Sequence, residues 1–248
     1  MTSIVDRLMP NKLSELFDEH IKPHHRVLCV GAFQQPTNDP SAFYASTRAA
    51  QVHILDAQSP FLIEQLEKKK ANHTATQKDL ALFDRLTWLE KQARGHGDPV
   101  SYRNIMKKLK EKYAIKARTP KIQFRDVTNT RFRYKQFDVL IDAGSLYWIL
   151  EGKVHGAEKH QGEPEALQKV LEEYARVSRK AVFLKPATDA GISSLKRELK
   201  AMGAKLTEKN VSNIYCVHSK KGIVTMRHFY PYGYALVAEF EEKKRQAK

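Results

Sequence analysis

Three aspartates at the ends of apolar runs are the residues best suited to hold a polar ligand. Asp56 ends the run QVHILD, Asp126 follows KIQFR, and Asp142 ends QFDVLID. An ionised carboxylate only accepts hydrogen bonds, so it suits the hydroxyl groups of a ribose. If the runs are parallel strands of one sheet, these carboxylates lie across the edge at which open α/β proteins bind ligands.

A glycine at the end of a fourth apolar run could let a ligand approach the backbone. The run Val27–Val30 stops at Gly31 and is followed by AFQQP. Asp56 comes 25 positions after Gly31, close to the spacing of about 20 residues between a glycine turn and a ribose-binding acid. The alternative role for Asp56 is to cap the next helix, which Ser59 could do equally well. We favour the ligand role.

The elements that must position these residues alternate between helix and strand. KLSELFDEHI, EPEALQKVLEEYARVSR and ISSLKRELKAMG have helical apolar spacing, and apolar runs of strand length separate them. Such alternation predicts a parallel sheet covered on both faces. The last runs, from KLTEKNVS to YALVAEF, have no helices between them, and SKKG is typical of a hairpin turn. We therefore predict one α/β domain over residues 1–248, with a mostly parallel sheet and antiparallel C-terminal edge strands.

A basic helical segment at about residues 64–118 interrupts this alternation. It holds 14 Lys plus Arg against 7 Asp plus Glu, a net charge of +7, and no run in it is typical of a strand. We interpret it as an insertion between the second and third strands. Its lysines, among them Lys107 and Lys108, have two interpretations: solvated faces of helices, or a clamp for an acidic substrate.

The charge of the whole chain favours a polyanionic partner. The sequence has 43 Lys plus Arg against 28 Asp plus Glu, a formal net charge of +15. Such an excess favours nucleic acid, because basic side chains neutralise phosphates and release counterions. The alternative is an organism whose proteins are broadly basic.

The remaining composition predicts a cytoplasmic protein without membrane segments or metal. No apolar run approaches the roughly 20 residues that span a bilayer, and the first residues do not have the pattern of a secretory signal. Cys29 and Cys216 both lie in strand-like runs, so we expect buried thiols. The histidine pairs His24–His25 and His155/His160 have no third ligand at metal-binding spacing, and we expect them to be solvated.

The order of these elements resembles that of class I, Rossmann-like S-adenosylmethionine-dependent methyltransferases. Gly31 is similar to the first glycine of the family's cofactor loop, Asp56 to its ribose-binding acid, and Asp126-Val127 to its adenine-binding pair. QFDVLIDAGSLYWI resembles the fourth strand and the helix after it, and VFLKP the fifth strand. The resemblance covers most of residues 10–60 and 120–240. It implies S-adenosylmethionine as cofactor, with contacts from Gly31, Ala32, Phe33, Asp56, Ala57, Asp126 and Val127.

The cofactor loop departs from the family pattern. The family's acidic residue two positions before the first glycine is Cys29 here, and Phe33 and Gln35 replace the second and third glycines. Glycine lets backbone approach a ligand closely, so the ring of Phe33 must turn elsewhere. Two alternatives remain open: the cofactor sits differently, held partly by Gln34 or Asn38, or the loop no longer binds it.

The residues after the fourth strand bear on the substrate. The Asn/Asp-Pro-Pro-aromatic motif of amino-group methyltransferases is absent, since Ala143-Gly144-Ser145 follows Asp142. Asp142 is the polar group we expect nearest the transferred methyl, the catalytic candidate. Tyr147 and Trp148 either line a pocket for a flat substrate or pack the helix.

The sequence thus predicts a methyltransferase acting on nucleic acid, RNA being favoured. The alternatives are a non-catalytic subunit that binds RNA or a partner protein, and a small-molecule methyltransferase whose insertion is a lid.

Overall fold

The described residues form a regular succession of helices and strands. The computed structural model describes residues 12–31, 40–56, 60–77, 79–81, 83–84, 99–125, 127–146, 164–184, 189–211, 214–227 and 233–241. Its helices are α1 Lys12–His20, α2 Ser41–Ser46, α3 Pro60–Ala71, α4 Pro99–Tyr113, α5 Pro164–Val177 and α6 Asp189–Ala201. Its strands are β1 Arg26–Val30, β2 Gln51–Asp56, β3 Lys121–Phe124, β4 Phe137–Asp142, β5 Ser178–Leu184, β6 Lys205–Asn210, β7 Ile214–Ser219, β8 Gly222–Arg227 and β9 Tyr234–Glu239.

Seven strands form the central sheet, in the order β3-β2-β1-β4-β5-β9-β6. The pairs from β3 to β5 are parallel, and β9 is antiparallel to both of its neighbours. The predicted α/β class, mostly parallel sheet and antiparallel C-terminal strands are therefore confirmed. The predicted hairpin around SKKG also forms, but β7 and β8 make a separate sheet of two strands and do not extend the central one.

The inner strands are apolar on both sides because helices cover both faces of the sheet. Four of the five residues of β1 are buried, and they alternate between two clusters. Val27 and Cys29 belong to the cluster on one face, Leu28 and Val30 to the cluster on the other. This arrangement leaves the strand ends as the places where the sheet can present polar groups.

The first helix packs as its periodicity predicts. Leu13, Leu16 and Phe17 of α1 are buried, and the ring of Phe17 contacts those of Tyr44 and Tyr215 at centroid distances of 5.4 Å and 5.5 Å. Since Tyr44 lies in α2 and Tyr215 in β7, this cluster fixes the small hairpin sheet against the helices of one face. Hydrophobic burial of these large rings is its main stabilisation.

The basic segment contributes two described helices, α3 and α4, between β2 and β3. The buried side of α4 is formed by Tyr102 and Met106, with Leu109 and Tyr113 packed against the same cluster. Ile105 is half-buried, as are Leu109 and Tyr113.

The two cysteines differ in burial. Cys29 is fully buried in β1, as predicted, whereas Cys216 in β7 is only half-buried, which corrects the expectation of two buried thiols. In the described part of the chain neither is in a disulfide. The amide of Cys216 donates to Ser14 Oγ at 2.8 Å, which ties β7 to α1.

Candidate functional site at the carboxyl edge of the sheet

The strand order creates one place where a ligand crevice is expected. The chain runs outward from β1 through β2 to β3 and then returns to β4 on the other side of β1. In open α/β sheets, ligands bind beyond the carboxyl ends of the strands at such a switch point. Gly31, Asp56 and Asp142 stand at the carboxyl ends of the three strands that meet there.

Gly31 has both a conformational and a packing reason to be glycine. Its φ is +69°, in the left-handed region, and its amide donates to Leu55 O at 2.9 Å. A Cβ added to it would lie 2.0 Å from Ser145 Oγ and 3.3 Å from Ser145 Cβ. The glycine thus lets the segment after β4 approach the end of β1, so it is accounted for without a ligand.

Asp56 is the more accessible of the two described acids at the switch point. It is half-buried and ends β2, whose Leu55 pairs with Val30 of β1, so it lies beside Gly31. Its carbonyl oxygen accepts a hydrogen bond from the amide of Arg125 at 3.2 Å. The position agrees with that of a ribose-binding acid. The role itself remains a prediction.

Asp142 faces into the protein. Its side chain is 2% exposed, Oδ1 accepts from the amides of Gly144 at 2.9 Å and Leu146 at 3.3 Å, and Oδ2 accepts from the hydroxyl of Tyr174 at 2.6 Å. Burial raises the pKa of Asp142 to about 6, while the hydrogen bonds from Tyr174 and the amides act to lower it. The carboxylate therefore holds the turn after β4 as a helix cap does.

These contacts change the interpretation of Asp142 as a catalytic group. Both oxygens are engaged by protein donors within a buried site, and Tyr174 holds one of them from α5. A group that accepts a proton from a substrate must reach that substrate within hydrogen-bond distance. The geometry supports a positioning role for Asp142, acting on the segment that begins at Gly144, in place of the predicted contact with a transferred methyl group.

Some of the other predicted cofactor and substrate residues lie among the described residues, and others lie outside them. Val127 lies in a turn after β3, half-buried and packed against the cluster around α5. Ala32, Phe33, Ala57, Asp126, Tyr147 and Trp148 lie outside the described residues.

The lysines proposed as a phosphate clamp are solvent-exposed. Lys107 and Lys108 both project from α4, and Lys107 Nζ lies 3.9 Å from Glu111 Oε1 across one helical turn. Such an exposed pair contributes little to stability, so both lysines are available to an anion.

Two residues of the site were not identified from the sequence. Tyr174 was assigned only to the apolar stripe of a helix, and its hydroxyl gives no signal in a pattern of spacing. Ser145 was noted only as part of the segment after β4. Both matter through a contact across the fold, Tyr174 with Asp142 and Ser145 with Gly31.

The described residues show neither a metal site nor a membrane-spanning helix. They contain no group of three or more His, Cys, Asp or Glu side chains arranged to hold a metal ion. Among the same residues, no helix combines the length and hydrophobicity needed to cross a membrane.

Comparison with known proteins gives likeness of fold without likeness of sequence. No protein-family model matches the chain, and no curated protein matches its sequence significantly. Similar solved structures include an S-adenosylmethionine-dependent O-methyltransferase from Thermotoga maritima, at 10% identity over 99% of this chain and 68% of that one, with a TM-score of 0.46. A precorrin-6y C5,15-methyltransferase from Geobacter metallireducens is 9% identical over 94% of this chain and 90% of that one, with a TM-score of 0.47. An S-adenosylmethionine-dependent methyltransferase from Aquifex aeolicus is 12% identical over 96% and 97%, with a TM-score of 0.43.

At such identities and TM-scores, these structures carry no argument about the activity or the substrate of this chain. The functional argument rests on the residues of this chain.

Proposed function

We propose that this protein is a methyltransferase that binds S-adenosylmethionine at the carboxyl edge of β1 and β2 and methylates RNA. The observation that carries the proposal is Asp56, a half-buried carboxylate at the carboxyl end of β2, next to the end of β1 at the switch point of the sheet. An acceptor-only group in this position suits a ribose.

The residues present fit the chemistry of the cofactor. Asp56 would accept hydrogen bonds from the ribose hydroxyls, whereas the space beside the Cα of Gly31 is taken by Ser145. The cofactor supplies a methyl group bonded to a positively charged sulfur. The chain's own contribution is to orient the acceptor and to exclude water, because methyl transfer depends mainly on in-line placement. Asp142 accepts hydrogen bonds from the amides of Gly144 and Leu146, and would thereby keep the backbone after β4 in place beside the site.

The choice of RNA as substrate is supported by charge. The chain has a formal net charge of +15, and Lys107 and Lys108 of α4 are exposed. Exposed cations on a helix contact phosphates irrespective of base sequence. A small-molecule substrate needs none of these charges.

One observation favours a non-catalytic relative of such enzymes as second candidate. Gly31 is required by its contact with Ser145, and Phe33 and Gln35 stand where the family pattern has glycines. The fold could therefore retain Gly31 after losing the cofactor. In that case the protein would bind RNA or a partner protein through its basic surface.

Calorimetric titration with S-adenosylmethionine and S-adenosylhomocysteine tests the cofactor site. We expect micromolar binding that Asp56→Ala reduces at least about tenfold, since a buried polar contact is worth about 1.5 kcal/mol or more when charged. Asp138→Asn is the matched control, a half-buried aspartate at the amino end of β4 in the same sheet. Absence of heat with folded protein, or equal binding by both variants, would overturn the proposal.

The dependence of substrate binding on salt separates the substrate classes. Binding of an RNA that loses affinity steeply between about 50 mM and 200 mM salt indicates several phosphate contacts. Cofactor binding combined with weak, salt-insensitive RNA affinity would favour a small-molecule methyltransferase. RNA affinity without cofactor binding would favour the non-catalytic candidate.

A further inference from the structure

The opposite edge of the sheet carries a concavity built from strand beginnings. An open hollow of about 360 Å³ is lined by the first residue of each of four parallel strands, Arg26, Gln51, Lys121 and Phe137, and by His53, Arg133 and Gln136. These residues come from distant parts of the chain and meet because the strands run in the same direction. The hollow lies at the amino edge, away from the proposed cofactor site.

Among the described residues, the charged side chains at this edge are mostly cations, and most of these have no carboxylate partner. In the described part of the chain, Lys121, Arg131 and Arg133 take part in no ion pair, and all three are exposed. Arg26 has a carboxylate neighbour, Asp138, with Nε 3.9 Å from Oδ2, and Asp138 is shared with Arg179 at 3.9 Å. Asp138 thus neutralises part of the positive charge of this surface, and the remaining positive charge suits an anion.

The segment 130–136, which supplies Arg133, is tied to α5 and β5 by hydrogen bonds of Glu173, Arg176 and Lys135, of which Arg176 is half-buried and the other two are buried. Glu173 Oε1 accepts from the amide of Thr130 at 2.8 Å, and Arg176 Nη1 donates to Phe132 O at 2.8 Å. Lys135 is 7% exposed, and its Nζ donates to the carbonyls of Ala175 and Ser178, both at 2.8 Å. Because the ammonium group of Lys135 donates to two backbone carbonyls, it holds the segment in place and is not a surface charge.

A single large aromatic side chain is presented on this fixed segment. Tyr134 is 52% exposed, while Phe132, two residues earlier, is 6% exposed and packs against Phe137. The segment therefore buries Phe132 and Lys135 and leaves Arg131, Arg133 and Tyr134 outside. An exposed ring that follows an exposed arginine combines two groups with which proteins bind single strands, because bases stack on aromatic rings and cations contact the phosphates.

The electrostatic environment of His53 agrees with a cationic hollow. Its Nδ1 lies 3.3 Å from Gln123 Oε1. Burial lowers the pKa of His53, the hydrogen bond with Gln123 opposes this, and the charges of Lys121, Arg125 and Arg26 lower it further. Burial and the neighbouring cations therefore favour the neutral form of this imidazole.

We propose that the amino-edge surface, defined as Arg26, Lys121, Arg133 and Tyr134, binds single-stranded nucleic acid, with phosphates in the hollow and a base stacked on Tyr134. This surface would anchor the strand at the edge opposite the cofactor site. The proposal does not require S-adenosylmethionine binding, so the two can fail separately.

Fluorescence anisotropy with a labelled oligouridylate of about 15 nucleotides tests this surface in the full chain. Tyr134→Ala is expected to weaken binding about fivefold or more, and Tyr134→Phe to stay within about twofold, because stacking needs the ring and not the hydroxyl. Arg133→Ala and Lys121→Ala should each reduce the slope of log affinity against log salt by about 0.7. Ile223→Ala, at an exposed apolar residue of the β7–β8 hairpin, is the matched control.

Each other outcome would overturn the proposal. Equal affinity of wild type and the Tyr134 and Arg133 variants would move nucleic-acid binding to another basic surface, such as α4. Absence of binding at about 50 mM salt would leave the edge as a solvated surface or a site for an acidic protein. Parallel titrations with oligouridylate and oligothymidylate distinguish RNA from DNA. Circular dichroism verifies that the variants fold, as expected for exposed side chains.

Discussion

At the scale of single residues, the two described aspartates at the carboxyl edge differ in burial. Asp56 is half-buried at the end of β2, whereas Asp142, at the end of β4, is held by Tyr174 and two amides. Two aspartates at equivalent places in a sequence pattern thus have different surroundings. The difference arises from α5, which covers one strand end.

Gly31→Ala is expected to reduce the free energy of unfolding by about 2 kcal/mol, combining left-handed strain with the clash at Ser145. Ser145→Ala in the same chain should restore the part due to Oγ, which is the atom at 2.0 Å, and leave the strain. Urea denaturation of the single and double variants measures both parts. A Gly31→Ala protein as stable as wild type would contradict the strained glycine.

Asp142→Asn is expected to change how stability depends on pH. The pKa of Asp142 is raised from 3.8 to about 6, mainly by burial. The protonated side chain therefore contributes fully to the free energy of unfolding below the pKa of the unfolded chain, and this contribution is lost as pH rises through the pKa of the folded protein. Asparagine keeps the acceptor and has no charge to bury. Between pH 4 and pH 7, the free energy of unfolding of the variant relative to that of wild type should rise by on the order of 2 kcal/mol. Urea denaturation at several pH values measures it. If the difference in free energy of unfolding between the two proteins stayed constant across that range, Asp142 would not titrate there.

At the scale of elements, the connection from β3 to β4 is an organised structure anchored on α5. Glu173, 7% exposed, accepts from Thr130 and from Arg176 Nε, the latter at 2.6 Å, and Arg176 in turn donates to Phe132 O. Hydrogen bonds to a charged partner in such a setting are stronger than those between neutral groups. The anchoring explains how an irregular segment can present Tyr134 in a fixed position.

Glu173→Gln should destabilise the protein by about 2 kcal/mol near pH 7, because the amide places a donor against the guanidinium of Arg176. Burial raises the pKa of Glu173, but hydrogen bonds from Arg176 and Thr130 outweigh it and lower the pKa below its usual 4.5. The native glutamate therefore stabilises the fold above that value and loses its effect as pH falls below it. Thermal unfolding at several pH values should show the two proteins converging in acid; parallel curves would contradict this network.

At the scale of the whole molecule, two functional edges are proposed on opposite ends of one sheet. The carboxyl edge has the acidic Asp56, and the amino edge has the cationic hollow. A net charge of +15 favours polyanionic partners in general, and under the proposal the exposed Tyr134 would select single strands.

Substitutions at the two edges should act independently, since separated sites without shared partners have additive effects. Tyr134→Ala is expected to leave S-adenosylmethionine affinity within about twofold, and Asp56→Ala to leave oligouridylate affinity within the same limit. Calorimetry and anisotropy on the same preparations measure both. Loss of cofactor affinity in Tyr134→Ala would show that the edges are coupled.

The sequence by itself determined the local properties of this protein. The alternation of apolar runs and helical periods was sufficient for the α/β class and for strand ends at Gly31, Asp56 and Asp142, because periodicity reflects which face of each element is buried. The tertiary structure alone decided which of these ends is covered: Tyr174 of α5 reaches Asp142, and Ser145 reaches Gly31. It also gathered Arg26, Lys121 and Arg133 at one edge, because strand order and register set which distant residues become neighbours.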